Sequence, residues 1–128
     1  MSTPEFAFEI EFYATASGRE PAREFIEDLE PAKRATLVAA IKAVLQYQGK
    51  DVCQTEYGKP LGKGLFEFRV RDDEITLRVY FHPYGNKVLL LLCGYDKGRF
   101  GGGRREQKAI SRARRHLNDY KESTRRHN

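Results

Sequence analysis

The chain has 128 residues, with 23 Lys and Arg against 18 Asp and Glu and a formal net charge of +5. A length of one ordinary domain and 40% hydrophobic residues, including 7 Tyr and 8 Phe, support a packed core and exclude a largely disordered chain. No apolar run approaches the roughly 20 residues that span a bilayer, and the N-terminus lacks the basic-then-apolar layout of a secretion signal, so the expectation is a cytoplasmic protein with no membrane contact. Cys53 and Cys93 stand far apart in sequence with no CxxC or histidine companion, which indicates neither a disulfide framework nor a zinc site.

Charge divides the chain. Residues 1–96 carry 12 basic and 15 acidic side chains, whereas residues 97–128 carry 11 and 3. A basic last quarter suits a phosphate backbone or an acidic protein segment, and charge alone does not choose between them.

Period-two alternation over Thr3–Tyr13 sets Phe6, Phe8, Ile10 and Phe12 against Ala7, Glu9, Glu11 and Tyr13, which predicts a half-buried strand. Ala22, Phe25, Ile26 and Leu29 recur at helical spacing up to Pro31. Leu37, Val38, Ile41, Val44 and Leu45 define a second helix that Gly49 stops. Asp51–Gly64 reads as a polar connection. Then Phe66, Phe68 and Val70 alternate with Glu67, Arg69 and Arg71, and after a turn at Asp72–Glu74 Ile75, Leu77, Val79 and Phe81 alternate with Thr76, Arg78, Tyr80 and His82. Following Pro83–Asn86, the run Val88–Tyr95 is apolar on both sides and reads as the central strand. Gly94–Gly103 is rich enough in glycine to predict a loop. A final amphipathic helix carries Ala109, Ile110, Ala113, Leu117 and Tyr120, with residues 123–128 expected to fray.

The order β-α-α-β-β-β-α predicts one α+β domain over residues 1–128, with its core at about 5–122, an antiparallel sheet, an N-terminal helical pair and a C-terminal helix. With the helices on one sheet face, the other presents Glu67, Arg69, Arg71, Arg78, Tyr80 and His82 together. Crowded arginines require negative charge nearby. Either Glu9, Glu11 and Glu67 supply it, or a phosphate-bearing ligand does, with Tyr80 and His82 adding a ring and a titratable group. Lys59 and Lys63 extend this basic surface or are simply solvated. Gly62 and Gly64 are not followed by the GKS or GKT of a phosphate loop, and His82, His116 and His127 make no metal set. No cofactor is implied, and Asp96 is expected to pair with Lys97 or Arg99. The residue types suffice for metal-free RNA cleavage: the 2′-hydroxyl attacks once it loses its proton, fixed guanidiniums hold the charge of the phosphorane, and a proton reaches the leaving 5′-oxygen.

Four stretches, Lys59–Val70, Ile75–Pro83, Val88–Gly98 and Ala109–Tyr120, taken in that order, resemble the RelE/ParE toxin superfamily, and within it the Gp49-like or HigB-like branch. The resemblance implies a toxin held inactive by a cognate antitoxin, often one containing a helix-turn-helix domain. It also implies cleavage of mRNA on the ribosome without a metal, while the ParE branch keeps a gyrase-directed action open as the alternative, beside a non-catalytic binding module. Arg69 matches the family's E-x-R strand pattern, Arg78 its R-x-x-F pattern, Lys97 its basic residue after the last strand, and Lys59 or Lys63 the one before the first. Together with the residue reading, this gives Arg69, Arg78, Tyr80 and Lys97 as the candidate catalytic set and Lys59, Lys63, Arg71, His82 and Arg99 as the candidate RNA-contacting set. The antitoxin is expected to cover the arginine face or the groove beside the C-terminal helix.

Overall fold

The computed structural model describes residues 7–126. Strand β1 (Glu9–Phe12) leads to helices α1 (Pro21–Asp28) and α2 (Pro31–Ala40), each opened by a proline whose missing N–H costs nothing in the first turn. The second helix runs on through a π-helical turn (Ile41–Leu45) and the short α3 (Gln46–Gln48), then tightens to a 3-10 segment (Gly49–Gln54). Strands β2 (Gly58–Gly62), β3 (Leu65–Asp72), β4 (Ile75–Tyr84) and β5 (Val88–Asp96) follow, then a single turn α4 (Lys97–Phe100) and the long α5 (Arg104–Arg126). The α+β architecture is as expected. The part of the first strand assigned to Thr3–Phe6, and the last two residues of the tail, lie outside the described residues.

The sheet order is β1-β5-β4-β3-β2, antiparallel except for the parallel β1–β5 pair. Four features differ from the sequence reading. An additional strand, β2, occupies the polar connection, joined to β3 through Lys63 (φ 54°) and Gly64 (φ 85°), a type I′ geometry that the glycine permits. The central strand is β4, and β5 lies between it and β1. The glycine-rich loop is shorter than expected, because β5 continues to Asp96 and Asp96 caps α4 by accepting a hydrogen bond from the Arg99 N–H at 3.1 Å. Finally, Ser123–Arg126 continues α5 instead of fraying.

The sheet is covered on both faces, which corrects the expectation of an open one. On the first face Leu37, Ile41 and Leu45 pack against Phe68, Val70, Leu77, Val79, Phe81, Leu89 and Leu91. On the second, Ala109, Ala113 and Leu117 of α5 pack against Tyr80, Leu90, Leu92 and Cys93. Each large apolar side chain so buried contributes about 1.5–3 kcal/mol, so leaving the second face bare would forfeit much of the stability of a domain this size. A bulge adjusts the register: Tyr80 pairs with Cys93 but Phe81 with Leu91, leaving Leu92 as the extra residue. Beyond it Cys93 and Tyr95 join Leu90 and Leu92 on the α5 side, while Gly94 turns toward α1, where any Cβ would run into the Phe25 ring.

Candidate functional site

The β3–β4 register pairs Arg69 with Arg78, Arg71 with Thr76 and Glu67 with Tyr80, so all six point to the α5 side. α5 covers only part of this row. Tyr80 is fully buried beneath it, Arg78 is 8% exposed at its margin, and Arg69, Arg71 and Thr76 lie beyond it. The uncovered part is a cleft of about 340 Å³, lined by Arg69, Arg71, Thr76 and Arg78 on its floor, Lys97 on one side and Glu56 and Tyr57 on the other. The Arg69 N–H donates to the Tyr57 carbonyl at 2.7 Å, which ties that wall to β3.

Two carboxylates sit among four cations. Glu67, almost entirely buried, accepts from Arg69 Nε at 2.7 Å and lies 3.7 Å from Arg78 Nε. Glu106, in the first turn of α5, is 3.9 Å from Arg78 Nε and 3.5 Å from Lys97 Nζ. Arg78 Nε makes no hydrogen bond, so its guanidinium is held by charge on both sides while its direction is left to packing. Arg71 has no ion-pair partner among the described residues, and the cleft keeps an excess of positive charge. Lys97 owes its position to Asp96, whose carboxylate caps α4 and pairs with Lys33 Nζ at 2.6 Å. The expected pairing of Asp96 with Lys97 or Arg99 is met only through the Arg99 N–H, and its ion-pair partner is Lys33.

The cleft thus gathers Arg69, Arg78, Lys97 and Arg71 and leaves the other expected residues elsewhere. Tyr80 does not reach it: the hydroxyl is buried without a hydrogen-bond partner, and burial, reinforced by Glu67, pushes its pKa far up, so the group keeps its proton. His82 lies four residues further along β4, about 13 Å from Arg78 at a strand's rise, where its Nδ1 is 2.7 Å from the Gly64 carbonyl oxygen. Lys63 belongs to the β2–β3 turn at that same end, and its carbonyl accepts from Lys121 Nζ. Lys59 is exposed on β2 opposite Glu67 and does not line the cleft. Arg99 lies over the Phe100 ring at 4.9 Å, on the far side of α4. Tyr57, Glu56 and Glu106 are the residues that sequence reasoning missed. The first two fall in a segment read as a connection, and Glu106 on a helix read only for its apolar stripe and its cations.

Among the described residues no group of three or more His, Cys, Asp or Glu is placed to hold a metal ion, and no helix is long and apolar enough to cross a membrane. The sequence pattern of the phage-derived Gp49-like protein family (DUF891) matches residues 24–118. The chain belongs to this family. The Gp49-like proteins are a RelE/ParE-like toxin branch, and the chain is accordingly the toxin of a toxin–antitoxin pair, with an antitoxin as its partner. The match takes in the second half of α1, the whole of α2 and β2–β5 and most of α5, hence every residue that lines the cleft. No curated protein matches the sequence significantly.

Proposed function

We propose that this Gp49-like toxin is a metal-independent endoribonuclease that cuts mRNA on the ribosome. The observation that carries the reading is the convergence of Arg69, Arg71, Arg78 and Lys97 on one cleft, where Glu67 and Glu106 pair with three of them and Arg71 has no ion-pair partner among the described residues. Phosphodiester cleavage by a 2′-hydroxyl passes through a phosphorane with added negative charge, and donors already fixed in place lower its energy without reorganising. Arg78 and Arg69, on adjacent strands and anchored by Glu67, meet that requirement, because a guanidinium presents a planar fork of donors to phosphate oxygens. Lys97, on the opposite wall, supplies the proton to the leaving 5′-oxygen. Glu56, on the wall across from Lys97, is the carboxylate able to accept the proton of the 2′-hydroxyl, and the exposed Tyr57 ring offers a surface for a base.

Induced expression in bacteria, with transcript ends mapped by sequencing, tests this reading. Cleavage within translated messages is expected for the natural chain, and intact messages are expected for Arg69→Ala and Arg78→Ala. Growth arrest with messages left intact overturns the nuclease reading and directs attention to gyrase, for which supercoiling in the presence of the purified toxin is the measurement.

A further inference from the structure

The single turn α4 separates the basic cleft from a second depression. This one, of about 400 Å³, opens between α1 and α5, with Gly94, Tyr95 and Asp96 of β5 along it. It exists because β1 pairs with β5 only over Val88–Leu91, so the end of β5 runs on past its neighbour. Phe25 walls it from α1, and Phe100, 42% exposed, stands at its rim with its ring 6.2 Å from that of Tyr95. From α5 come Arg105, Lys108 and Arg112, at spacings of three and four residues that bring them to one side of the helix.

None of these three cations has an ion-pair partner among the described residues, and the depression's one acidic residue, Asp96, is already engaged by Lys33 and the Arg99 N–H. Like charges so spaced disfavour the helix that carries them unless something negative lies across them. The three span about 10 Å along the axis at the rise of an α-helix, a length suited to successive phosphates more than to a single anion. Beside them is a stack of planar groups, with the Arg99 and Arg105 guanidinium carbons 4.9 Å and 5.6 Å from the centre of the Phe100 ring. A nucleobase has a π-face to add to such a stack, whereas an acidic peptide would use the cations and leave the rings unused.

We propose that this depression is a second RNA subsite, holding the single strand that continues from the cleavage cleft, with a base against Phe100 and the adjoining phosphates on Arg105, Lys108 and Arg112. A strand passing Lys97 has only the one turn of α4, about 6 Å, to cross before it reaches Phe100. The subsite rests on the reading of the chain as a ribonuclease, and it assigns the basic face of α5 to substrate.

Fluorescence anisotropy with labelled, uncleavable 2′-O-methyl oligoribonucleotides of two and eight residues tests it on the full chain. The eight-mer is expected to bind the natural protein more tightly than the two-mer. Phe100→Ala and Arg112→Ala should each weaken the eight-mer about tenfold and leave the two-mer unchanged, with Arg112→Ala also lowering the slope of log affinity against log salt by about one. Arg69→Ala should weaken both oligonucleotides and Lys50→Ala neither. The side chains of Lys50, Phe100 and Arg112 are exposed and that of Arg69 is half-buried, and thermal melts confirm that the variants fold. Equal eight-mer affinities for the natural chain, Phe100→Ala and Arg112→Ala overturn the proposal. So does absence of eight-mer binding, or unchanged RNA affinity in variants that no longer bind the antitoxin, which would assign the depression to an acidic peptide. Because the probe cannot be cut, this outcome is separate from message cleavage: intact messages in cells remove the nuclease reading, and a length-independent effect of Phe100→Ala removes the subsite.

Discussion

Replacing Arg78 by alanine separates what this residue does for the fold from what it does for chemistry. Its guanidinium lies between two carboxylates, Glu67 at 3.7 Å and Glu106 at 3.9 Å, and is 8% exposed. Stranding a buried charge costs about 3–5 kcal/mol. Here neither carboxylate is stranded, since Glu67 keeps Arg69 at 2.7 Å and Glu106 keeps Lys97 at 3.5 Å. A loss of about 1–3 kcal/mol is therefore expected, too little to unfold a domain of ordinary stability. The cleavage step should fall further, by about 10²- to 10³-fold, the scale for losing one donor to a developing oxyanion. Arg78→Lys retains a charge but not the planar fork, and should recover stability more than rate. Single-turnover cleavage at saturating ribosome-bound message, beside urea denaturation of the same preparations, reads both quantities. A folded Arg78→Ala protein cutting within about threefold of the natural rate refutes the assignment. If Lys97→Ala collapses the rate in the same series, the reacting phosphate lies nearer α4.

Four further substitutions probe the sheet and the helices packed on its two faces. Tyr80→Phe removes a buried hydroxyl that has no partner, so stability should hold or rise by up to about 1 kcal/mol with cleavage unchanged; a loss of about 10² in rate would return the hydroxyl to the chemistry. Gly94→Ala drives a methyl into the Phe25 ring and should cost about 1–3 kcal/mol, read by thermal melting. Phe25→Leu should recover part of that loss in the double variant, and strict additivity would show that the two do not touch. Burial, and after it Arg112 and Arg115, hold the His116 pKa below its ordinary 6.5, with Asp119 opposing. The unfolded chain therefore takes up this proton first as pH falls, so the neutral ring's contribution is complete above 6.5 and is lost on acidification toward the folded value. Urea denaturation across that window should show a steeper acid loss for the natural chain than for His116→Gln, and parallel curves would refute it.

The alternations Phe66/Phe68/Val70 and Leu77/Val79/Phe81 fixed two strands and their inward faces, and Asp73 with Glu74 marked the hairpin between them. This was enough to bring Arg69 and Arg78 side by side, because directly paired residues share a face. Gly58–Gly62 escaped notice since Pro60 and its glycines are poor strand formers; at the sheet's edge the missing N–H of Pro60 is tolerated. The position of α5 was legible only in β5. A strand apolar on both sides, with Leu89 and Leu91 to one face and Leu90 and Leu92 to the other, demands two covers, and the N-terminal helices provide one. Alternation assigns Tyr80 a side without saying what lies upon it, and that is why Tyr80 looked accessible.

The place of the cleft follows from where α5 begins. The helix lies along the β4 row from its first turn, where Glu106 is near Arg78, to Lys121, which reaches the turn at Lys63 beside His82. The helix seals Tyr80 from solvent, while His82 at the far end of the row stays half-buried and Arg78, 8% exposed, sits at the near margin of the cover. The same end carries the positive pole of the helix macrodipole, which favours Glu106 there and adds to the field of Arg69, Arg71, Arg78 and Lys97 on any phosphate entering the cleft. Deepening the cleft by shortening α5 at its first turn would therefore expose Arg78 and at the same time remove Glu106 and part of that field. The helix start is a compromise: it desolvates Arg78 enough to strengthen its charge interactions while leaving the guanidinium within reach of the substrate.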